Sequence, residues 1–101
     1  KLIEAADQGD AEAQTDLGLH LLDEFSKTGK FRDAAFYWLE RAAAQDCADA
    51  MNWLGRCHAQ GLGVEQSDEQ ALMWISRAAA LGDEISRAQM QALVGKPLTR
   101  R

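Results

Sequence analysis

The sequence predicts an all-α fold in which pairs of helices stack into a superhelix, or solenoid. Segments of the chain return after 36 or 37 residues, and the apolar residues within them recur with a helical period. No segment alternates apolar and polar residues for long enough to form a β-strand. Because one helix pair cannot bury its apolar faces alone, we expect neighbouring pairs to cover each other.

Two kinds of segment carry the repeat. Residues 13–18 return 37 positions later as 50–55, and residues 35–44 return 36 positions later as 71–80. The apolar side chains of 35–44 share one helix face, which predicts core positions at Ala35, Trp38, Leu39, Ala42 and Ala43, with Trp74 as the counterpart of Trp38. We expect one domain over 1–101, with a partial repeat over 1–10, whole repeats over 11–47 and 48–83, and a partial or capping helix over 84–95.

Local signals place the ends of the helices. Gly82 before Asp83 is typical of a helix end followed by a new N-cap, and Ser67 is the expected N-cap of a capping box. Gly95 and Pro97 are predicted to end the last helix. Helices are therefore expected over 1–8, 11–24, 31–45, 48–60, 68–81 and 84–94.

Gly18 and Gly55 occupy equivalent positions inside two of the predicted helices. A glycine inside a helix costs about 0.5–1 kcal/mol relative to alanine. Its recurrence favours a close approach of the partner helix, which would leave no room for a Cβ atom, over two merely tolerated glycines.

The order of small and aromatic residues in the second repeat resembles that of the Sel1-like repeats, relatives of the tetratricopeptide repeats. The resemblance is carried by Ala50, Leu54-Gly55, Gly61-Leu62-Gly63-Val64, Ala71, Trp74, Arg77-Ala78-Ala79 and Gly82. It implies a right-handed α-α superhelix of helix pairs. The first repeat departs from this pattern, because residues 24–30 replace the Gly-x-Gly-Val loop.

The composition argues against several classes of partner. The chain has 11 basic and 16 acidic residues and a formal net charge of −5, whereas nucleic acids and anionic membranes require a basic face. No apolar run approaches the roughly 20 residues of a membrane span. We therefore expect no nucleic-acid binding and no membrane span.

The cysteines and histidines do not form a recognisable chemical site. On one helix Cys47 and Cys57 would lie roughly 15 Å apart, too far for a disulfide, which predicts two free thiols. Cys57 and His58 point about 100° apart, so they do not converge on one metal ion. With no nucleophile and base paired, we expect no enzyme activity, cofactor or metal site. Unpaired thiols and a first residue other than Met slightly favour a cytoplasmic over a periplasmic or secreted location.

The predicted function is that of a protein-interaction module. It would act as a scaffold or adaptor that binds a peptide or protein segment on the concave face formed by the first helix of each pair. An Asn with an Arg one turn later can hold a peptide backbone or a carboxylate, although ordinary solvated side chains would give the same pattern. The candidate partner-binding residues are Glu12, Thr15, Asp49, Asn52, Trp53, Arg56 and Gln60, with Leu19 and Asp23 at matching places on the first such helix.

Two alternatives stay open at this point. Trp53, which stands where the first repeat has Asp16, is either an anchor for a partner or a side chain that packs on the neighbouring repeat. The repeats could also be architectural, merely spacing or capping a larger protein. Apolar stripes at the ends of so short a stack further predict a homodimer or a longer parent chain.

Overall fold

The computed structural model describes residues 2–94, which form six α-helices and no strand. Each helix packs chiefly against its neighbours in the sequence, and the stack measures 50 × 30 × 15 Å. This architecture confirms the predicted all-α superhelix of helix pairs. The helices are α1 (Leu2–Asp7), α2 (Ala11–Thr28), α3 (Arg32–Ala43), α4 (Ala48–Gln60), α5 (Asp68–Ala80) and α6 (Glu84–Val94).

The helix bounds differ from the prediction chiefly in the first repeat. α2 runs a full turn beyond residue 24, because no helix-breaking residue follows and Phe25 packs against the core. It ends where Gly29 adopts a left-handed conformation and donates its backbone N–H to Phe25 O at 2.8 Å. α3 starts one residue later than predicted, after Phe31 in a left-handed conformation with φ of 72°. The predicted stop at Gly95 and Pro97 lies outside the described residues.

The core consists of two clusters of buried apolar side chains. The larger joins α2 to α5 and the smaller joins α1 to α2. Trp74 packs against the larger cluster and Trp38 against the smaller one, but both are only partly buried and so form the edge of the core rather than its centre. The larger cluster comprises Leu22, Ala35, Phe36, Leu39, Ala42, Ala43, Ala50, Met51, Leu54, Cys57 and Ala78; the smaller comprises Ala6, Ala13 and Leu17.

The close approach predicted at the two helix glycines is confirmed. A Cβ atom added to Gly18 would lie 2.7 Å from Leu39 Cγ, and one added to Gly55 would lie 2.6 Å from Ile75 Cγ1. Neither distance is compatible with a real contact. The two glycines therefore set the spacing between the helices of each pair, α2 with α3 and α4 with α5.

The turn that links one repeat to the next uses a left-handed residue at the same place each time. That residue is Gly9, Asp46 or Gly82, with φ of 98°, 63° and 93°. Glycine adopts this conformation without strain, whereas aspartate pays a steric cost.

Replacing Asp46 with glycine is therefore expected to raise the free energy of unfolding by about 1 kcal/mol. Urea unfolding followed by circular dichroism measures the change. Asp49→Gly is the matched control, since Asp49 lies in the first turn of α4 and the same replacement there should destabilise. Destabilisation by Asp46→Gly would contradict the expectation.

Apolar side chains are exposed at both ends of the stack. Ile3 of α1 is exposed at one end, and Leu72, Leu81 and Ile85 are exposed on α5, on the turn after it and on α6. Leu72 is the counterpart of Phe36, which is buried beneath the loop of the following repeat. These surfaces fit the predicted homodimer through the ends of the stack, which stays a prediction.

Candidate functional site

An open pocket lies between α2 and α4, the first helices of the two whole repeats. We refer to it as the α2/α4 pocket; it is lined by Leu19, Leu22, Asp23, Ser26, Trp53 and Leu62. Its volume of about 230 Å³ is below the roughly 300–1,000 Å³ of a typical pocket for a drug-sized ligand. Because four of its six lining residues are apolar, it suits a single apolar side chain.

Trp53 is the aromatic residue in the lining of the α2/α4 pocket. Its side chain is half-buried, packs against the larger core cluster and also lines the α2/α4 pocket. The guanidinium carbon of Arg56 lies 4.8 Å from the centroid of the indole ring, within the range of a cation–π interaction. Trp53 thus packs on its neighbours, as one alternative predicted, while part of its surface stays accessible, as the other requires.

A row of carboxylates runs along α2 and meets the pocket at Asp23. Glu12, Asp16, Leu19 and Asp23 are spaced i, i+4, i+7 and i+11, which places them on one helix face. The three acidic residues are exposed, and we refer to them as the acidic stripe. Asp23 pairs with Lys27 at 3.2 Å, but both side chains are mostly exposed, so the pair contributes little stability.

Two of the predicted binding residues lie elsewhere than expected. Thr15 and Asn52 are only 4% and 5% exposed, so the expectation that they point into the groove is wrong. The Thr15 hydroxyl donates to Ala11 O at 2.9 Å and lies 3.2 Å from Cys47 Sγ. The sequence could not indicate this burial, because the covering groups come from residues more than 30 positions away.

Asn52 joins α4 to α6 through a polar network. Its side-chain amide lies 2.8 Å from the hydroxyl of Ser86, which is fully buried, and 2.6 Å from the side-chain amide of Gln89. The other end of the Gln89 amide lies 3.0 Å from Arg56 Nε, so that an oxygen there accepts a hydrogen bond from the guanidinium. The network therefore connects the buried Asn52 to Arg56, which in turn stacks on Trp53.

The other predicted residues keep their place on the surface of the first helices. Glu12 is exposed on α2, Asp49 and Gln60 are exposed near the two ends of α4, and Arg56 is half-buried. Trp53, Leu19 and Asp23 meet in the α2/α4 pocket, whereas Thr15 and Asn52 do not reach it. Leu22, Ser26 and Leu62 also line the pocket but were not predicted. Their place on α2 near Leu19 and in the loop after α4 was the signal that could have indicated them.

Both thiols are unpaired, which confirms the prediction of two free cysteines. Cys57 is buried, and this loss of solvation raises the pKa of its thiol from 9.0 to about 11. Cys57 is therefore protonated and unreactive at neutral pH. Among the described residues, no three His, Cys, Asp or Glu side chains form a group that could hold a metal ion.

At pH 8, Cys57 in the folded chain is expected to react with a thiol reagent at least about 100-fold more slowly than in urea, because its thiolate fraction falls by that factor. The rate is measured in the variant Cys47→Ser, with Cys57→Ser as the control. Equal rates in the folded and unfolded chains would contradict the expectation.

The raised pKa also predicts a loss of stability at alkaline pH. Between about pH 9 and pH 11 the Cys57 thiol keeps its proton in the folded chain and loses it in the unfolded chain, so the free energy of unfolding should fall as the pH rises.

A second, more polar pocket lies at the loop between α4 and α5. It has a volume of about 510 Å³ and is lined by His58, Glu65, Gln66, Ser67 and Gln70. His58 is half-buried, and its Nδ1 atom has no hydrogen-bond partner among residues 2–94. All five of its lining residues are polar, and it has no counterpart of Trp53.

The helices of residues 2–94 include none with the length and apolar character needed to cross a membrane. This finding concerns only the part of the chain that the structure describes.

Comparison with known proteins identifies the family. The model of the family described as Sel1 repeat matches residues 11–47 and 48–83. The chain belongs to the Sel1 repeat family. Sel1 repeats are generally protein-interaction modules without enzymatic activity.

Two solved Sel1-type structures resemble this one closely. The Sel1 repeat protein from Oxalobacter formigenes is 33% identical with a TM-score of 0.76, over 90% of this chain and 68% of that one. A protective antigen present in uropathogenic Escherichia coli strains, which displays an SLR fold, is 31% identical with a TM-score of 0.74, over 91% of this chain and 19% of that one.

The curated relatives are much longer than this Sel1 repeat chain. The protein named DAP3-binding cell death enhancer 1 is 33% identical in Mus musculus and 30% identical in Rattus norvegicus, in each case over 92 residues. The match covers 91% of this chain but only 18% of either relative.

Proposed function

We propose that this chain is a scaffold or adaptor module that binds a peptide or protein segment on the concave face, between α2 and α4. The observation that carries the proposal is the α2/α4 pocket, in which the half-buried Trp53 and three leucines surround a space for one side chain. Tryptophans that a partner buries fully on binding are typical of the residues that dominate protein interfaces. Asp23, the end of the acidic stripe that lines the pocket, adds a charged group at its rim.

The comparisons support a protein as the partner. Sel1 repeats generally mediate protein interactions, and the name of the murine relative states that it binds a protein, DAP3. We assign no catalytic role to Cys57, because burial raises the pKa of its thiol to about 11 and leaves the thiol unreactive at neutral pH.

An architectural role is the second candidate. It is favoured by the apolar side chains exposed at the ends of the stack, among them Ile3, Leu81 and Ile85. In that role the ends would meet further repeats or a second copy of the chain, and the concave face would bind nothing.

Affinity capture of binding partners, with the wild-type chain and two matched variants as bait, tests the proposal. The groove variant is Trp53→Ala/Asp23→Ala, and the control is Tyr37→Ala/Glu40→Ala, which removes one aromatic and one acidic side chain from the exposed face of α3. Asn52 is unsuitable because its replacement would disturb the core. Circular dichroism first establishes that both variants are folded.

The two candidate functions predict different sets of captured proteins for the three baits. Binding at the concave face predicts a partner that the wild type and the control variant retain and that the groove variant loses. A partner retained equally by both variants would overturn the proposal. An architectural role predicts that both variants and the wild type capture the same proteins.

A further inference from the structure

We propose that the α2/α4 pocket recognises an extended peptide segment in which one apolar residue is flanked, two places before and two places after it, by Lys or Arg. This inference rests on the proposed function and specifies the chemistry of the segment. It follows from the lining of the pocket, the charges beside it and the spacing of those charges.

The lining of the α2/α4 pocket calls for an apolar side chain. Leu19, Trp53 and Leu62 are half-buried, so each keeps apolar surface that an entering side chain would remove from water. The volume of about 230 Å³ admits one side chain rather than a larger apolar cluster. Asp23 and Ser26 are the polar residues of the lining, and both are exposed.

The charges around the pocket favour basic residues on either side of that apolar residue. Asp23 lines the pocket, and Asp16 lies two turns before it on the same face of α2; both side chains are exposed. The ion pair of Asp23 with Lys27 is solvent-exposed and therefore weak enough to be exchanged for one with a partner. Arg56 stacks on Trp53 and contacts Gln89, so its charge is directed towards α6 rather than towards the acidic stripe.

The spacing of the carboxylates is compatible with basic residues two places before and two places after the apolar one. Asp16 and Asp23 are seven residues apart, or about 10 Å along a helix. In an extended peptide, side chains on one face are two residues apart and are separated by about 6.6–6.8 Å. Residues two places before and after the apolar one thus share its face and lie about 13 Å apart. The long, flexible side chains of Lys or Arg span the difference of about 3 Å and reach both carboxylates.

Synthetic peptides test this specificity. The probe is an acetylated and amidated peptide with the core Lys-Ala-Leu-Ala-Lys between glycines. One comparison peptide has Glu in place of both Lys residues, and the other has Gly in place of Leu. Each is titrated into the ¹⁵N-labelled chain, and amide and indole shifts report both the affinity and the place of binding.

We expect the Lys-flanked peptide to bind at least about tenfold more tightly than either comparison peptide, with shifts at Leu19, Leu62 and the indole N–H of Trp53. The variant Asp16→Asn/Asp23→Asn should weaken its binding about fivefold, since each exposed ion pair contributes little. The variant Glu40→Gln/Glu69→Gln changes the net charge equally on α3 and α5 and should leave the binding unchanged.

Other results would overturn the inference in distinguishable ways. If the Glu-flanked peptide binds the pocket as tightly as the Lys-flanked one, the proposed specificity is wrong while the concave face remains the binding site. Shifts confined to residues away from the pocket, such as those around His58, would overturn both the specificity and the proposed site. No binding of any peptide at millimolar concentration would overturn the specificity, and the capture experiment would then judge the proposed function alone.

Discussion

Replacing Gly55 with valine is expected to lower the free energy of unfolding by about 3 kcal/mol, because it overpacks a close contact between α4 and α5. Even the Cβ atom would lie 2.6 Å from Ile75 Cγ1 and 3.2 Å from the backbone oxygen of Ala71. The oxygen belongs to α5 itself, so the clash is relieved only if the helices move apart. The two γ-carbons of valine add to this, since a β-branched side chain has few rotamers in a helix.

Urea unfolding monitored by circular dichroism measures this loss. Ala88→Val is the control, because Ala88 is exposed within α6 and valine there costs only the helix propensity, roughly 0.5 kcal/mol. A loss at Gly55 no larger than that of the control would contradict the proposed close contact.

A double-mutant cycle separates this contact from general damage to the fold. Gly55→Ala and Ile75→Ala are each expected to destabilise, the first by overpacking and the second by leaving a cavity. Because Ile75→Ala removes the atom that the new Cβ would meet, the double variant should lose about 1 kcal/mol less than the two single losses combined. Additive losses would show that the two residues do not contact each other.

The contacts inside a helix pair could be predicted from the sequence. Gly18 and Gly55 recur at equivalent positions despite their cost in a helix, and each closely faces a large apolar residue of its own pair, Leu39 or Ile75. The same recurrence placed the small residues of the core, and the local Gly-Asp signal placed the turn at Gly82. These contacts join helices that are adjacent in the chain, so one repeat contains all the information they need.

Contacts that reach beyond one helix pair could not be predicted in the same way. Thr15 and Asn52 are polar residues on the first helices, and their sequence neighbours do not reveal that Cys47 and Ser86 cover them. The α2/α4 pocket likewise forms between two repeats, which is why Leu22 and Leu62 were missed. The extra turn of α2 has a related cause, since Phe25 is held by the core and by the Gly63 loop of the next repeat.

Asn52→Ala is expected to lower the free energy of unfolding by about 2 kcal/mol, because it leaves a fully buried polar group without its partner. The Ser86 hydroxyl has no access to water and lies 2.8 Å from the Asn52 amide. Removing the Asn52 amide also removes its contact with Gln89, so α6 should unfold locally before the rest of the stack. Hydrogen exchange should show a larger loss of protection in α6 than in α3.

Gln60→Ala is the control variant, because Gln60 lies on α4 like Asn52 but its amide is exposed. Its removal should lower the free energy of unfolding by less than about 0.5 kcal/mol.

The double variant Asn52→Ala/Ser86→Ala distinguishes a lost hydrogen bond from a lost packing contact. When both polar partners are removed, neither is left buried and unsatisfied, so the double variant should be less destabilised than the sum of the single variants. Asn52 also fixes Gln89, which contacts Arg56, which stacks on Trp53 at the α2/α4 pocket. Asn52→Ala should therefore change the indole N–H resonance of Trp53 although Asn52 lies outside the pocket. An unchanged Trp53 resonance, together with additive losses of stability, would exclude Asn52 as the residue that positions Arg56 and would limit its part to packing.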